Sequence, residues 1–595
     1  MLPDKIDLKL RDLKKEMYEN KYEINKWDKQ EVKRVSESKY EPIEGQKEFL
    51  TGDQSYWDNT GKIFFFQKEL KLPQKLETEN LYLHLDNSGE CTLFINGEVY
   101  RGINEKNIKL PKIDGNTYHF KILATHDVHL SVRHQRLFNI PYPPHIFRSS
   151  FLFNKNKDIE KLYVLLKNIK KTIEVLESKR EQLILQNLLE DTLNHIDFFT
   201  NKRKDFLTSI KKSYQFIVNE LQNIESSNVG KVFLLAHSHL DLAFKWTITD
   251  SIRKLERTIS TTVNLMDSYD NYYFIQSQSI LYEYLKEYYP NLFQKVKEKY
   301  RENKFIVEGA FYVESDLNLP HGESLIRQIL YGKKFYQDNF DKNTNLAWLP
   351  DCFGFSAILP QILKKSEINY FLTTKLQWND INQFPHNLFK WEGIDGSQIS
   401  SYLLADEYGG NLDPKKIYNA WENRKQKDLD EVLSLYGFGD GGGGNNEVQL
   451  NNYEALEKIP FLPKIKTGDI HNHLNTRFNK NELPTWKDEL YLEKHRGTYT
   501  SQADLKKYNR KLEFKLRNME LLYSSAKLNG FEKEFNLEKL WKILLKNQFH
   551  DILPGSCVHD VYQDAVEDYE RLDTSLEDIK NELFAFFSTK YRLDH

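Results

Sequence analysis

Lys231-Val232-Phe233-Leu234-Leu235-Ala236-His237-Ser238-His239-Leu240-Asp241 runs a largely apolar segment into two histidines and an aspartate. In a strand, successive side chains alternate faces, so His237, His239 and Asp241, at i, i+2 and i+4, share one face. Two imidazoles and a carboxylate projecting together from the end of a buried strand make a donor set suited to a hard or borderline metal ion. A lone histidine at a strand end is usually a surface or core residue. Three polar residues on one face, directly after an apolar run, favour metal binding.

Outward from this stretch, residues 229–485 alternate apolar strands with helical segments. The strands include Val232–Leu235, 273–275, Phe305–Val307, 346–349 and Tyr370–Thr373. Such alternation, with polar residues just after the strands, predicts a mainly parallel α/β sheet or barrel with its site at the C-terminal strand ends. Before it, residues 1–150 read as a charged N-terminal segment, opened by an amphipathic helix, and a small β-sandwich. Asn96-Gly97, between Leu93-Phe94-Ile95 and Val99-Tyr100, marks a hairpin turn. Trp57 and Phe64–Phe66 read as its core rather than as a ligand platform. Residues 151–228 form a helical linker in which Ile159, Leu162, Leu166, Ile169, Ile173 and Leu176 recur at three- and four-residue steps. Residues 486–595 read as a helical bundle. The expected class is multidomain α/β.

The 595 residues carry 84 Lys+Arg against 87 Asp+Glu, a formal charge of -3, which offers neither a basic nucleic-acid surface nor an acidic tail. Cys91, Cys352 and Cys557 are too few and too far apart for a disulfide framework and suit a reducing compartment. The N-terminus lacks the apolar core of a signal peptide, and no run approaches the roughly 20 apolar residues of a membrane span. A soluble, cytoplasmic protein is expected.

Three further stretches carry chemistry. In Trp348-Leu349-Pro350-Asp351-Cys352-Phe353-Gly354-Phe355-Ser356, Asp351 follows a short strand, where a carboxylate can ligate a metal, act as a nucleophile, or simply cap a helix. In Gln548-Phe549-His550-Asp551-Ile552-Leu553-Pro554-Gly555, a helix with Leu537, Leu540, Trp541, Leu544 and Leu545 on one side delivers His550 and Asp551 at its end. A surface histidine at a helix C-terminus is the plainer alternative. Asp440, before Gly441-Gly442-Gly443-Gly444, sits after an apolar run; no Gly-Lys-Ser/Thr follows, so the glycines are not a phosphate loop, and Asp440 is a candidate proton donor or base.

Together these segments resemble the α-mannosidases of glycoside hydrolase family 38, in the branch with cytosolic and vacuolar enzymes. Supporting stretches are Asn318-Leu319-Pro320-His321-Gly322-Glu323-Ser324, Trp391-Glu392-Gly393-Ile394-Asp395-Gly396 and His495-Arg496-Gly497-Thr498-Tyr499-Thr500-Ser501. The resemblance runs from about residue 55 to about 575. It implies a (β/α)7-type barrel followed by a helical bundle, and a zinc ion, replaceable by cobalt or manganese, on His239, Asp241, Asp351 and His550. It further implies Asp351 as nucleophile and Asp440 as acid/base of a retaining hydrolysis of α-mannosides. Asp551, Phe244 and Lys375 would contact substrate, and His237 would support the ligands without binding metal. Phe244 stands where the family usually has a Trp that packs on the sugar, with Trp246 near enough to keep an aromatic face.

The family normally continues for several hundred residues past the bundle into β-rich domains. Their loss, their supply by a second chain, or a truncated product are the expectations this raises; a homo-oligomer is a further expected partner. Two other readings stand beside the mannosidase: a catalytically impaired homologue acting in carbohydrate binding, and another zinc-dependent hydrolase, such as a deacetylase, using metal-bound water.

Overall fold

The computed structural model describes residues 3–45, 48–51, 55–58, 61–125, 145–225, 230–480 and 482–591. The chain is mixed α/β and divides into two compact units, each assembled from three stretches. One comprises Met1–His239, Arg253–Phe274 and Asp406–Gly468; the other comprises Leu240–Ile252, Ile275–Ala405 and Asp469–His595.

The first unit opens with the helix Pro3–Glu16 and two antiparallel sheets. One sheet orders its strands Tyr18–Glu23, His145–Lys155, Leu81–Asn87 and Asn107–Lys109. The other runs Lys39–Pro42, Lys26–Ser36, Ile63–Lys71, Thr117–Thr125, Glu90–Ile95 and Glu98–Gly102. Their inner faces share one core that includes Trp27, Trp57, Phe64, Phe66, Leu83, Leu93, Ile122 and Phe147. Period-2 alternation explains the sorting: Phe64 and Phe66 are buried, while Phe65 between them faces outward beneath the Lys121 ammonium, 5.0 Å from its ring. Asn96 and Gly97, at φ +53° and +90°, make the two-residue turn expected of Asn-Gly, since a type I′ hairpin needs two successive positive φ angles.

The strands at 18–51 were not anticipated from the charged N-terminal stretch. Lys26–Ser36 turns Trp27 and Lys29 inward, and Lys29 escapes the apolar interior by pairing with Glu48 at 2.7 Å. A lysine whose stem is buried and whose charge reaches the rim breaks the apolar pattern without breaking the strand. The stretch read as one linker is three helices, Lys157–Val175, Lys179–Asn194 and Arg203–Asn223. The first two are capped by Asn156 and Ser178, whose side chains accept from the amides of Ile159 and Glu181. Beyond them, Lys231–His237 pairs in parallel with Glu431–Tyr436 and with Lys464–Lys466.

In the second unit, Leu346–Trp348, Tyr370–Thr373 and Gln398–Leu403 pair in parallel; Leu388–Glu392 joins antiparallel and carries Thr485–Lys487. Helix Gly322–Phe340 packs so closely on the backbone at Ala310 that a Cβ at Gly332 would come within 2.1 Å of the Ala310 carbonyl oxygen. The C-terminal stretch folds as helices Ala503–Leu528, Leu537–Lys546 and His559–Lys590. Among the described residues, no helix is long and apolar enough to cross a membrane.

Candidate metal and catalytic site

His239, Asp241, Asp351 and His550 are all buried, and each offers a ligand atom such that the four atoms lie within 4.8 Å of one another. His237 is outside this cluster, its ring 6.3 Å from that of His239. The strand ends at His237, so His239 and Asp241 lie past it and the alternation argument for a shared face does not reach them.

His550 is not carried on the end of a helix. Helix Leu537–Lys546 stops four residues earlier, and His550 sits in the turn that follows. What holds it is the segment at 314–316: Ser315 bridges Phe549 antiparallel, the Asp316 amide donates to Gln548 O (2.8 Å), and the His550 amide donates to Glu314 O (3.1 Å). The same carbonyl lies 2.8 Å from His550 Nδ1. A carbonyl only accepts, so Nδ1 carries a proton and Nε2 is the ring nitrogen that faces the carboxylates. Nε2 is 3.4 Å from Asp241 Oδ1 and 3.6 Å from Asp351 Oδ2.

Gln278 ties this support to the strand exit. Its side-chain oxygen accepts from the Glu314 amide (3.3 Å) and its nitrogen donates to Leu240 O (3.1 Å), between two of the ligand residues. It is buried and holds φ +65° without being glycine. Asp241 is fixed from the other side: Ser251 donates to its carbonyl (3.0 Å) and Trp246 donates to Ser251 (2.7 Å). Trp246 is therefore a buried anchor for Asp241 and gives no open aromatic face. Phe244 is half-buried, its carbonyl accepting from the Val558 amide (2.8 Å).

The donor chemistry fits a divalent cation. Two carboxylates drawn together away from water repel each other and lose hydration unless positive charge joins them. Burial alone would lower the His550 imidazole, but the Asp241 and Asp351 carboxylates outweigh it and hold its pKa well above the usual value. Burial, reinforced by the charge of Asp241, raises the Asp551 carboxyl, which accepts from Ser556 Oγ. Lys375 places Nζ 2.6 Å from Asp351 Oδ1 and 3.8 Å from the centre of the Trp378 ring. It thus sits on the carboxylate itself, whereas the sequence placed it only among substrate contacts.

Asp440 lies in a loop after strand Glu431–Tyr436, half-buried, at φ +57°. Tyr408 donates its hydroxyl to Asp440 Oδ1 at 2.5 Å, and the Tyr408 ring stands 4.8 Å from that of His239. Neither Tyr408 nor Gln278 was picked out from the sequence. A tyrosine in a loop and a glutamine at a helix start carry no motif; the only local signal was the place of Gln278 just after the expected strand 273–275.

Residues 229–489 match the Glycosyl hydrolases family 38 N-terminal domain, and residues 493–586 match the Alpha mannosidase middle domain. The chain is 33% identical to Alpha-mannosidase G of Dictyostelium discoideum, over 87% of this chain and 48% of that protein. It is 38% identical to Alpha-mannosidase 2C1 of Mus musculus, over 57% of this chain and 33% of that protein. The chain thus spans half or less of the length of these relatives. Among solved structures, an alpha-mannosidase from Enterococcus faecalis superposes with a TM-score of 0.54 at 21% identity, covering 60% of this chain and 43% of that one.

Proposed function

The chain belongs to glycoside hydrolase family 38, and from that premise we propose that it is a retaining α-mannosidase acting on terminal α-mannosyl residues of oligosaccharides or simpler mannosides. The observation that carries the reading is the convergence of His239, Asp241, Asp351 and His550, with Asp351 also paired to the buried Lys375.

A zinc ion held by these four residues would supply a Lewis-acidic grip on vicinal sugar hydroxyls. The chain's own residues do the rest. Lys375 pairs with Asp351 and orients it. Asp351 attacks the anomeric carbon and forms a covalent glycosyl-enzyme. Asp440 gives its proton to the departing oxygen and then takes one from the incoming water, so the two displacements retain configuration. Tyr408, bound to Asp440 Oδ1, fixes which carboxylate oxygen is left for that transfer. Asp551 accepts from a sugar hydroxyl, Phe244 offers an apolar edge, and His237 supports the ligand strand. The same reading takes 229–485 as a (β/α)7-type barrel and places the protein in the cytoplasm, where its three free cysteines suit the redox conditions.

The test combines metal analysis with turnover of an aryl α-mannoside. The expected result is about one tightly held metal per chain, an α-configured product by NMR, and loss of turnover by at least about a thousandfold in Asp351→Asn. An inverted product, or an Asp351→Asn variant that keeps its rate, overturns the mechanism. A metal-loaded chain that binds mannose without cleaving any mannoside favours the binding homologue instead.

A further inference from the structure

The glycine run after Asp440 has no chemical task in the reading above, yet Gly441–Gly444 are buried while Asp440 is half-exposed. Its backbone is held on several sides. The Gly442 amide donates to His239 O (3.2 Å), the Gly444 amide to Ser238 Oγ (3.0 Å) and the Gly443 amide to Thr258 Oγ1 (2.7 Å) on helix Ile248–Met266. From the sandwich, the Asn104 side-chain amide donates to Gly443 O. Arg257 completes the frame, donating from Nη2 to Gly441 O (3.1 Å) and from Nη1 to Asn104 Oδ1 (3.3 Å).

Behind Arg257 stands Glu90, at the start of sandwich strand Glu90–Ile95. It accepts from Arg253 (2.9 Å), from Lys254 and from Arg257 (3.4 Å). Burial alone would raise its carboxyl; Arg257, Arg253 and Lys254 outweigh that and hold it well below the usual range. Glycine is required where the loop meets the helix. Gly444 has φ +77°, and a Cβ there would lie 3.0 Å from Thr262 Oγ1 and 3.2 Å from Thr258 O.

We propose that the N-terminal sandwich is a positioning element for the proton donor. Arg257, oriented by Glu90 and Asn104, pins the Gly441 carbonyl and so sets the direction of the adjoining Asp440 carboxyl. The inference rests on Asp440 being the acid/base. Charge-assisted bonds from a planar guanidinium define direction as well as distance, and proton transfer is sensitive to displacements of about 1 Å.

The test uses two aryl or alkyl α-mannosides, one with a leaving group that departs unaided (2,4-dinitrophenyl) and one that needs a proton (methyl). In Asn104→Ala, a half-buried loop change, and in Arg257→Lys, kcat/KM for the methyl glycoside should fall about tenfold or more while that for the dinitrophenyl glycoside stays within about twofold. Equal losses on both substrates, or no loss on either, overturn the proposal. Asp440→Ala is the control. If it shows the leaving-group-dependent loss and the two variants do not, the brace fails alone; if Asp440→Ala itself loses both substrates equally, the acid assignment fails and the brace falls with it.

Discussion

Gln278 contributes no atom to the ligand cluster, yet its side chain joins the Leu240 carbonyl to the Glu314 peptide that orients His550. Groups that orient metal ligands typically contribute 10–100-fold to affinity. Gln278→Ala should therefore weaken zinc binding by about that factor in competition with a chromophoric chelator; unchanged affinity would remove the role. A second residue acts on stability through protonation. Burial raises Glu256 from 4.5 to about 8, against the opposing pull of Arg253. The folded chain thus keeps a proton that the unfolded chain has lost, so this contribution is complete below about 4.5 and disappears as pH rises through about 8. Glu256→Gln is neutral at every pH. Its melting temperature should fall less than the wild type's between pH 5 and pH 8.5; identical falls would mean that Glu256 does not titrate in this window.

Among the elements, helix Gly322–Phe340 gives a prediction against propensity. Alanine is the better helix former by about 1 kcal/mol, but at Gly332 its methyl would press on the Ala310 carbonyl. Gly332→Ala should destabilise by about 1–3 kcal/mol, the usual result of overpacking, read as a lower urea midpoint; a higher midpoint would show that the contact yields. What could be read from the sequence followed the same division between local and distant causes. The Asn96-Gly97 hairpin and the strands Phe305–Val307 and Tyr370–Thr373 were legible because turn chemistry and apolar runs are local. Lys26–Ser36 was not, because its inward lysine hides the alternation. His239, Asp241, Asp351 and His550 were legible through the family resemblance. Residues alone put His237 on the same face and His550 on a helix end. The strand stops at His237, and His550 is placed by the backbone of 314–316, a partner more than two hundred residues away. Tyr408 and Gln278 act through contacts with no trace in residue type or spacing.

On the scale of the whole molecule, each compact unit is threaded from three separate stretches of chain, so a metal that joins Asp241, Asp351 and His550 also joins stretches far apart in sequence. Anything bound only by the folded state stabilises it, by about 2.7 kcal/mol when free ligand is at a hundred times Kd. Stripping the metal with dipicolinate should lower the melting temperature and zinc should restore it, whereas in His550→Ala the two treatments should melt alike. A wild type indifferent to chelation would speak against a resident ion.

The support of His550 by residues 314–316 also sets an order in time. Asp241 leaves the ribosome 309 residues before His550, an interval of roughly 15–60 s at about 5–20 residues per second. For the last 199 residues of it the nascent chain holds both carboxylates, Asp241 and Asp351, without the His550 imidazole that meets them and without Gln548 and Phe549, which pair with its 314–316 segment. The sandwich, by contrast, has all its strands by residue 155 and can be finished early. Synthesis therefore finishes the sandwich first, supplies Arg257 and Gly441 to the brace only later, and brings in the last of the four clustered residues with His550.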